Sequence, residues 1–117
     1  MTKIDTIQLP WPSKKLNPNE RVHWGKKSTE TKKAKSYAYY SALNMGRLKG
    51  PLVINVKFHP PDKRRRDMDN MIAACKAYFD GIALAVCVDD FNFNIGSIER
   101  GEPVKNGAVI VQVNSTE

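Results

Sequence analysis

The stretch Lys63–Asn70, reading KRRRDMDN, constrains this chain more than any other. Four cations run directly into two aspartates spaced two apart, Asp67 and Asp69, and Asn70 follows. The apolar run Leu52–Phe58 precedes it, and a helical pattern from Met71 to about Ala85 follows it. The stretch therefore sits where a strand hands over to a helix. Side chains at i and i+2 of an extended segment face the same way, so a backbone extended through Asp69 would let both carboxylates converge. Hard cations such as Mg²⁺ take oxygen ligands of this kind, commonly one or two carboxylates with water and substrate phosphate. Arg64, Arg65 and Arg66 suit the phosphate itself. The same residues also fit a plainer role. An Asp just before a helix is a usual N-cap, acids are favoured in the first helical turn, and a run of cations is commonly a solvated face. More acidic ligands from elsewhere would decide for the metal.

The charge distribution favours a phosphate partner. The formal net charge is +7, but residues 1–66 hold 16 Lys and Arg against 4 Asp and Glu, whereas residues 67–117 hold 3 against 8. A cationic surface framing an acidic pocket divides this way, and a basic balance predicts a polyanionic partner. A gradient of ordinary surface charge is the alternative. Cations that hold a phosphodiester beside carboxylates that hold a metal suggest a nuclease.

At 117 residues the chain is expected to form one domain, residues 1–117, with one core. No apolar run approaches the ~20 residues of a membrane span. The start MTKIDTIQLPW does not read as a signal peptide, so the cytoplasm is the expected location. Cys75 and Cys87 lie in neither a CxxC nor a zinc spacing and read as free thiols, with Cys75 on the apolar side of the second helix. His23 and His59 have no partner at metal spacing and read as structural.

Along the chain, Lys3–Leu9 alternates as a first strand and ends at Pro10-Trp11-Pro12, where Trp11 reads as a core or edge anchor. Residues 13–27 read as a long loop in which Lys14, Lys15, Lys26 and Lys27 stand among an aromatic and an imidazole. That mixture suits backbone contacts with base stacking, or simple solvation. A helix is expected from a cap at Ser28 or Thr29 to about Met45, burying Ala34, Tyr37, Ala38, Tyr40, Ala42 and Leu43. Lys32 and Lys33 crowd its first turns against the helix dipole, which favours a phosphate contact. Gly46 and Gly50 close it.

Leu52–Phe58 reads as a central strand because it is almost continuously apolar. In the second helix Met71, Ile72, Cys75, Tyr78, Phe79, Ile82 and Val86 recur at helical spacing. Opposite them Asp69, Ala73, Lys76 and Asp80 fall close to one stripe. Lys76 can lean toward the acids across the small Ala73, or form an i,i+4 pair with Asp80. Asp89-Asp90 follows the helix, as a solvated turn or as a pair returned toward the strand end. Residues 91–100 and 108–114 read as two last strands, joined as a hairpin through Pro103 and Asn106-Gly107. The fold class expected is α+β, a small mixed sheet of about four strands with two α-helices packed on it.

With these pieces in order, the chain resembles the RusA family of Holliday-junction resolvases, over nearly its whole length. LPWPS after a first strand is weak evidence; RRRDMDN followed by Lys76, FDGI and VDD is specific. The resemblance implies that Asp67 and Asp69 are metal ligands and that Asp90 is the third, with Asp89 as neighbour or substitute. It implies Mg²⁺, with Mn²⁺ able to substitute, and no organic cofactor. Lys76 resembles the family's catalytic lysine, at a spacing of seven from Asp69 where the best-known members have four. The implied partners are four-way junction DNA and a second copy of the chain, with no membrane. The implied products carry 5′-phosphate and 3′-hydroxyl ends. Two other functions fit the residues: a non-catalytic basic DNA-binding module, and a Mg²⁺-dependent nuclease of flaps or other branched DNA.

Overall fold

The computed structural model describes residues 2–13, 16 and 24–116, with the backbone alone for Thr2, Asp90 and Thr116. The expected Lys14, Lys15 and His23 lie outside the described residues. The elements run β1 (Thr2–Leu9), α1 (Trp24–Ala42), β2 (Leu52–His59), α2 (Met68–Ala74), α3 (Lys76–Val86), β3 (Phe93–Arg100) and β4 (Ala108–Thr116). This is the expected α+β class: a four-stranded mixed sheet in the order β1-β4-β2-β3, with helices packed on it. Among the described residues no helix is long and apolar enough to cross a membrane.

β2 lies between two neighbours, as its apolar run predicts. It pairs antiparallel with β4 and parallel with β3. Its burial alternates, so only one face of the sheet carries helices. Leu52, Ile54, Val56 and Phe58 face the core with Val109, Val111 and Val113. On the other face Asn55 donates to Gln112 Oε1 at 3.0 Å and accepts from Ser97 Oγ at 3.1 Å. Those amide and hydroxyl groups satisfy one another across three strands.

Three expectations fail here, each for a physical reason. The last two strands are not a hairpin: β3 and β4 flank β2 on opposite sides. The loop between them steps over the end of β2, with Gly101 N donating to Phe58 O at 2.7 Å and Val104 N to Pro60 O at 2.9 Å. Asn106 and Gly107 do adopt left-handed φ of 67° and 71°, but the turn packs under Trp11. The second helix is not continuous, because the chain leaves helical geometry at Cys75 (φ −92°, ψ 1°) and divides into α2 and α3. The first helix starts at Trp24, so Ser28 and Thr29 are interior; Thr29 Oγ1 bonds back to Gly25 O at 3.0 Å.

The apolar face of α1 is also narrower than expected. Ala38 and Ala42 are buried and Ala34 half-buried, whereas Tyr37, Tyr40 and Leu43 are exposed and Tyr39 packs against the core in their place. Small residues make this ridge because α3 approaches closely. A Cβ on Gly81 would collide with the Lys35 carbonyl and come within 3.0 Å of Tyr39 N. The helix backbones therefore nearly touch. α3 buries a broad face, which includes Ala77, Tyr78, Phe79, Ile82 and Val86, and leaves Lys76 and Leu84 exposed. Tyr78 Oη donates to Pro10 O at 2.7 Å, which fastens α3 to the exit of β1.

Two measurements check this packing. Gly81→Ala should cost about 2–3 kcal/mol by overpacking against backbone, read as a lowered urea midpoint with an unchanged slope. Cys75 is buried, which pushes its thiol up to about 12, and Cys87 is exposed. A native-state thiol titration should therefore label Cys87 alone, and Cys75 should react only after denaturation.

Candidate nucleic-acid and metal site

The cationic stretch leaves β2 at His59, whose Nδ1 lies 2.9 Å from Glu102 O, a structural role as expected. Asp62 then organises the arginines. Its carboxylate lies 2.9 Å from Arg66 Nη1 and 3.1 Å from Arg64 Nη2, and it accepts from Arg64 N at 2.9 Å. The Arg66 side-chain bonds first, and the Arg64 amide next, hold the Asp62 carboxyl at about 2, well below the usual carboxylate range. The Arg66 guanidinium also lies over the Trp11 ring, 5.4 Å from its centroid. Trp11 in turn meets Phe58 edge-on at 6.0 Å, so it is the core anchor expected of it. From the far strand Arg100 Nη2 donates to Arg66 O at 2.6 Å, and its Nε lies 3.1 Å from Met68 Sδ. The basic run is thus a fixed loop and not a loose solvated one.

This loop walls a cleft of about 680 Å³, lined among others by Trp11, Asp62, Arg64, Arg65, Arg66 and Asp67. Asp67 occupies the N-cap position of α2 in an extended conformation (φ −85°, ψ 132°), yet its side chain makes no capping bond. The helix begins at Met68, so the extended segment ends one residue after the cap begins, short of Asp69. Asp69 lies in the first helical turn and is exposed. Among the described residues neither carboxylate has a hydrogen-bond or ion-pair partner. Two such acids fit a Mg²⁺ ion that completes its shell with water and phosphate oxygens.

The other expected ligands are elsewhere. Asp90 opens a single 3₁₀ turn (Asp90–Asn92) directly before β3, and Phe93 pairs with Leu52 at the start of β2. Asp67 follows the end of β2. Seven residue steps of strand at ~3.3 Å each put those ends about 23 Å apart. One chain therefore does not gather Asp67, Asp69 and Asp90 at one point. The cause is the parallel β2–β3 pairing, which requires the intervening helices to run back the length of the strand. Asp89 is committed locally, its Oδ1 accepting from Phe91 N at 2.9 Å. Among the described residues no group of three His, Cys, Asp or Glu side chains is placed to hold a metal. Lys76 does not lean to the acids either. Its Nζ lies 2.7 Å from Asp80 Oδ1, the i,i+4 alternative, and the break at Cys75 divides the stripe that linked it to Asp69.

Lys26, Lys32 and Lys33 are exposed on α1 and Lys27 is half-buried there. Asp62 and Arg100 were not visible as site residues in the sequence. Asp62 looks like a turn residue after two prolines, though its i,i+2 and i,i+4 spacing to arginines was a usable signal. Arg100 carries no local signal, since its contact depends on β3 lying parallel beside β2.

No family model matches the chain. A protein of Xylella fastidiosa (strain Temecula1), described as "Uncharacterized protein", is 37% identical over 117 residues, covering 95% of this chain and 76% of that one. Among solved structures, a thiamine-monophosphate kinase from Stenotrophomonas maltophilia aligns at TM-score 0.39 and 11% identity. The alignment covers 97% of this chain but 31% of the kinase, a likeness too low to carry an argument.

The Asp62 clamp has a pH signature. Its lowered carboxyl holds the arginine loop fully above the ordinary carboxylate value near 4, and that contribution is lost as pH falls through about 2. Carboxyl-carbon NMR should give Asp62 a midpoint near 2, and Arg66→Gln should move it upward toward the ordinary range. A midpoint unaffected by Arg66→Gln would refute the clamp.

Proposed function

We propose that this chain, which belongs to one family with its Xylella fastidiosa relative, is a Mg²⁺-dependent endodeoxyribonuclease that cuts four-way DNA junctions, working as a cytoplasmic homodimer. The observation that carries the reading is the state of Asp67 and Asp69. They are exposed carboxylates that neither cap nor pair, although Arg64, Arg65 and Arg66 line one cleft with Asp67; Arg64 and Arg66 are bound instead by Asp62. That arrangement keeps the acids available to a cation and the guanidinium groups fixed beside it. The resemblance of RRRDMDN and the later VDD to the RusA family supplies the substrate class.

Mg²⁺ held by Asp67 and Asp69 would supply a water of lowered pKa and neutralise charge building on the phosphate. The chain's own part is positioning. Arg64, Arg65 and Arg66 hold the sugar-phosphate backbone, with Arg66 aimed by Asp62 and Trp11. Contacts of this type bring affinity and register without reading sequence. Lys76, tied to Asp80, is given no step.

The third acid comes from the second copy. β3 is a sheet edge whose helix-side residues are left uncovered: Ile95 and Ile98 pair in register with the buried Ile54 and Val56, yet are exposed. An eight-residue edge of this kind invites pairing. Antiparallel pairing of two β3 strands about a two-fold axis sets Ile95 opposite Ile98 of the partner subunit. It also brings the start of one β3 to the end of the other, where Arg100 touches the residues flanking Asp67. Asp90 of the partner subunit then approaches Asp67 and Asp69.

A specific observation favours one rival, a non-catalytic DNA-binding module: a single chain lacks a three-acid cluster among its described residues. The readings separate in a nicking assay on matched junction, flap and linear duplex, with Mg²⁺ and with chelator. Junction-selective nicking that needs Mg²⁺ is expected; none with any substrate would leave the binding module. Asp69→Asn and Asp90→Asn should each abolish nicking by at least about a hundredfold while keeping junction binding. Mixing the two inactive variants should restore activity, because a mixed dimer holds one site with all three acids. Exchange of the two inactive variants into mixed dimers that still do not nick would refute the shared site.

A further inference from the structure

Tyr37 and Tyr40 on α1 are 52% and 69% exposed. The core ridge of the helix is Ala38 and Ala42. At 100° per residue Tyr40 lies ~160° around the helix from Ala38, so it points away from that ridge. Its ring is braced edge-on against Tyr39, with centroids 5.2 Å apart. Around the two tyrosines the surface is cationic: α1 carries Lys26, Lys27, Lys32, Lys33 and Lys35 against a single acid, Glu30. Thr29, Lys32, Lys33, Ser36, Tyr37 and Tyr40 line one shallow depression.

That depression is linked to the arginine cleft through an intermediate hollow that shares residues with both. Lys33 and Tyr37 also line a second hollow, whose other wall includes Trp11 and Ser13. Trp11 and Ser13 in turn line the cleft of Arg64, Arg65, Arg66 and Asp67. A series of hollows that share lining residues therefore leads as a track from Tyr40 along α1, past Trp11, to the cleft of the uncapped acid. Lysines along a groove suit a phosphate backbone, and exposed aromatic rings offer faces on which unpaired bases stack. Paired bases inside a duplex are already stacked and present no free face.

Resting on the nucleic-acid reading above, we infer that the α1 face holds a single-stranded segment of the DNA substrate, with unpaired bases stacked on Tyr37 and Tyr40 and phosphates on Lys32 and Lys33. The track thus selects DNA with locally open strands and leads one such strand to the arginine cleft.

The test is fluorescence anisotropy of the full chain with a labelled short oligothymidylate and with a duplex of equal length, in chelator. Binding is read without cleavage, so an absence of nuclease activity leaves the result interpretable. Tyr37→Leu/Tyr40→Leu should weaken the oligothymidylate about tenfold, the lower part of what stacked bases contribute, and leave the duplex within about twofold. Tyr37→Phe/Tyr40→Phe keeps the ring faces and should bind both probes as the parent does. Lys32→Gln/Lys33→Gln should weaken both probes and flatten the salt dependence. Both pairs, the tyrosines and the lysines, are at the surface, and unchanged thermal melting confirms that each of the three variants folds. Equal loss on both probes in the leucine variant, or no loss on either, overturns the inference. So does a leucine variant that changes the mass of the protein assembly by light scattering, since the rings would then cover a protein contact.

Discussion

Parallel pairing of β2 with β3 is the constraint on which the rest of the structure depends. A parallel neighbour needs a crossover, and here the crossover is the whole helical unit from Met68 to Val86. It fills the helix-bearing face with Tyr78, Phe79, Ile82 and Val86, and it draws α1 close enough that only glycine fits at position 81. It also decides where the charges go. The chain emerges from β2 with its arginines at one end of the sheet and returns with Asp89-Asp90 at the other. The acids that enter and leave one helical excursion are thereby kept a strand length apart.

At the end of β2 the energetics favour order in a segment that composition would assign to solvent. An exposed ion pair alone is worth little, roughly 0–1 kcal/mol. Asp62, however, engages two arginines and a backbone amide, Arg66 adds the Trp11 ring, and Arg100 closes the loop from the neighbouring strand. Several weak contacts that share partners fix one geometry. The desolvated part of the device is Trp11 on Phe58, so the charged loop is seated on the core itself.

Much of the fold was legible because burial writes a period into the chain. The alternation of Lys3–Leu9, the apolar run of β2 and the helical spacing from Met71 to Val86 each locate an element. Pairing partners were not legible. Asn106-Gly107 carries a hairpin's chemistry in a loop that instead straddles β2, because turn propensity is local while strand order is set by the crossover. In α1 the tyrosines read as core because they are apolar by composition, whereas the closeness of α3 selected alanines. The site was half legible. Asp67 and the arginines line one cleft as their adjacency dictates, Asp69 follows in the first turn of α2, and Asp90 does not join them within one chain. The Lys76 stripe assumed a continuous helix, and one non-helical residue, Cys75, was enough to redirect the amine.

The register shift in β3 has a consequence of its own. Ile54 pairs with Ile95 and Asn55 with Ser97, leaving Gly96 looped out between them. Asn55 and Val53 crowd the place where its side chain would be. Because of that one surplus residue, everything downstream in the strand changes faces. Were Gly96 paired as an ordinary strand residue instead of looped out, Ile98 would turn to the open side and Arg100 would swing away from Arg66 and Met68. A single glycine without a side chain of its own thus acts as the phase setting of the strand, and a side chain placed there would press on Asn55 and Val53 and disturb the bulge that keeps the far edge of the sheet in step with the arginines it steadies.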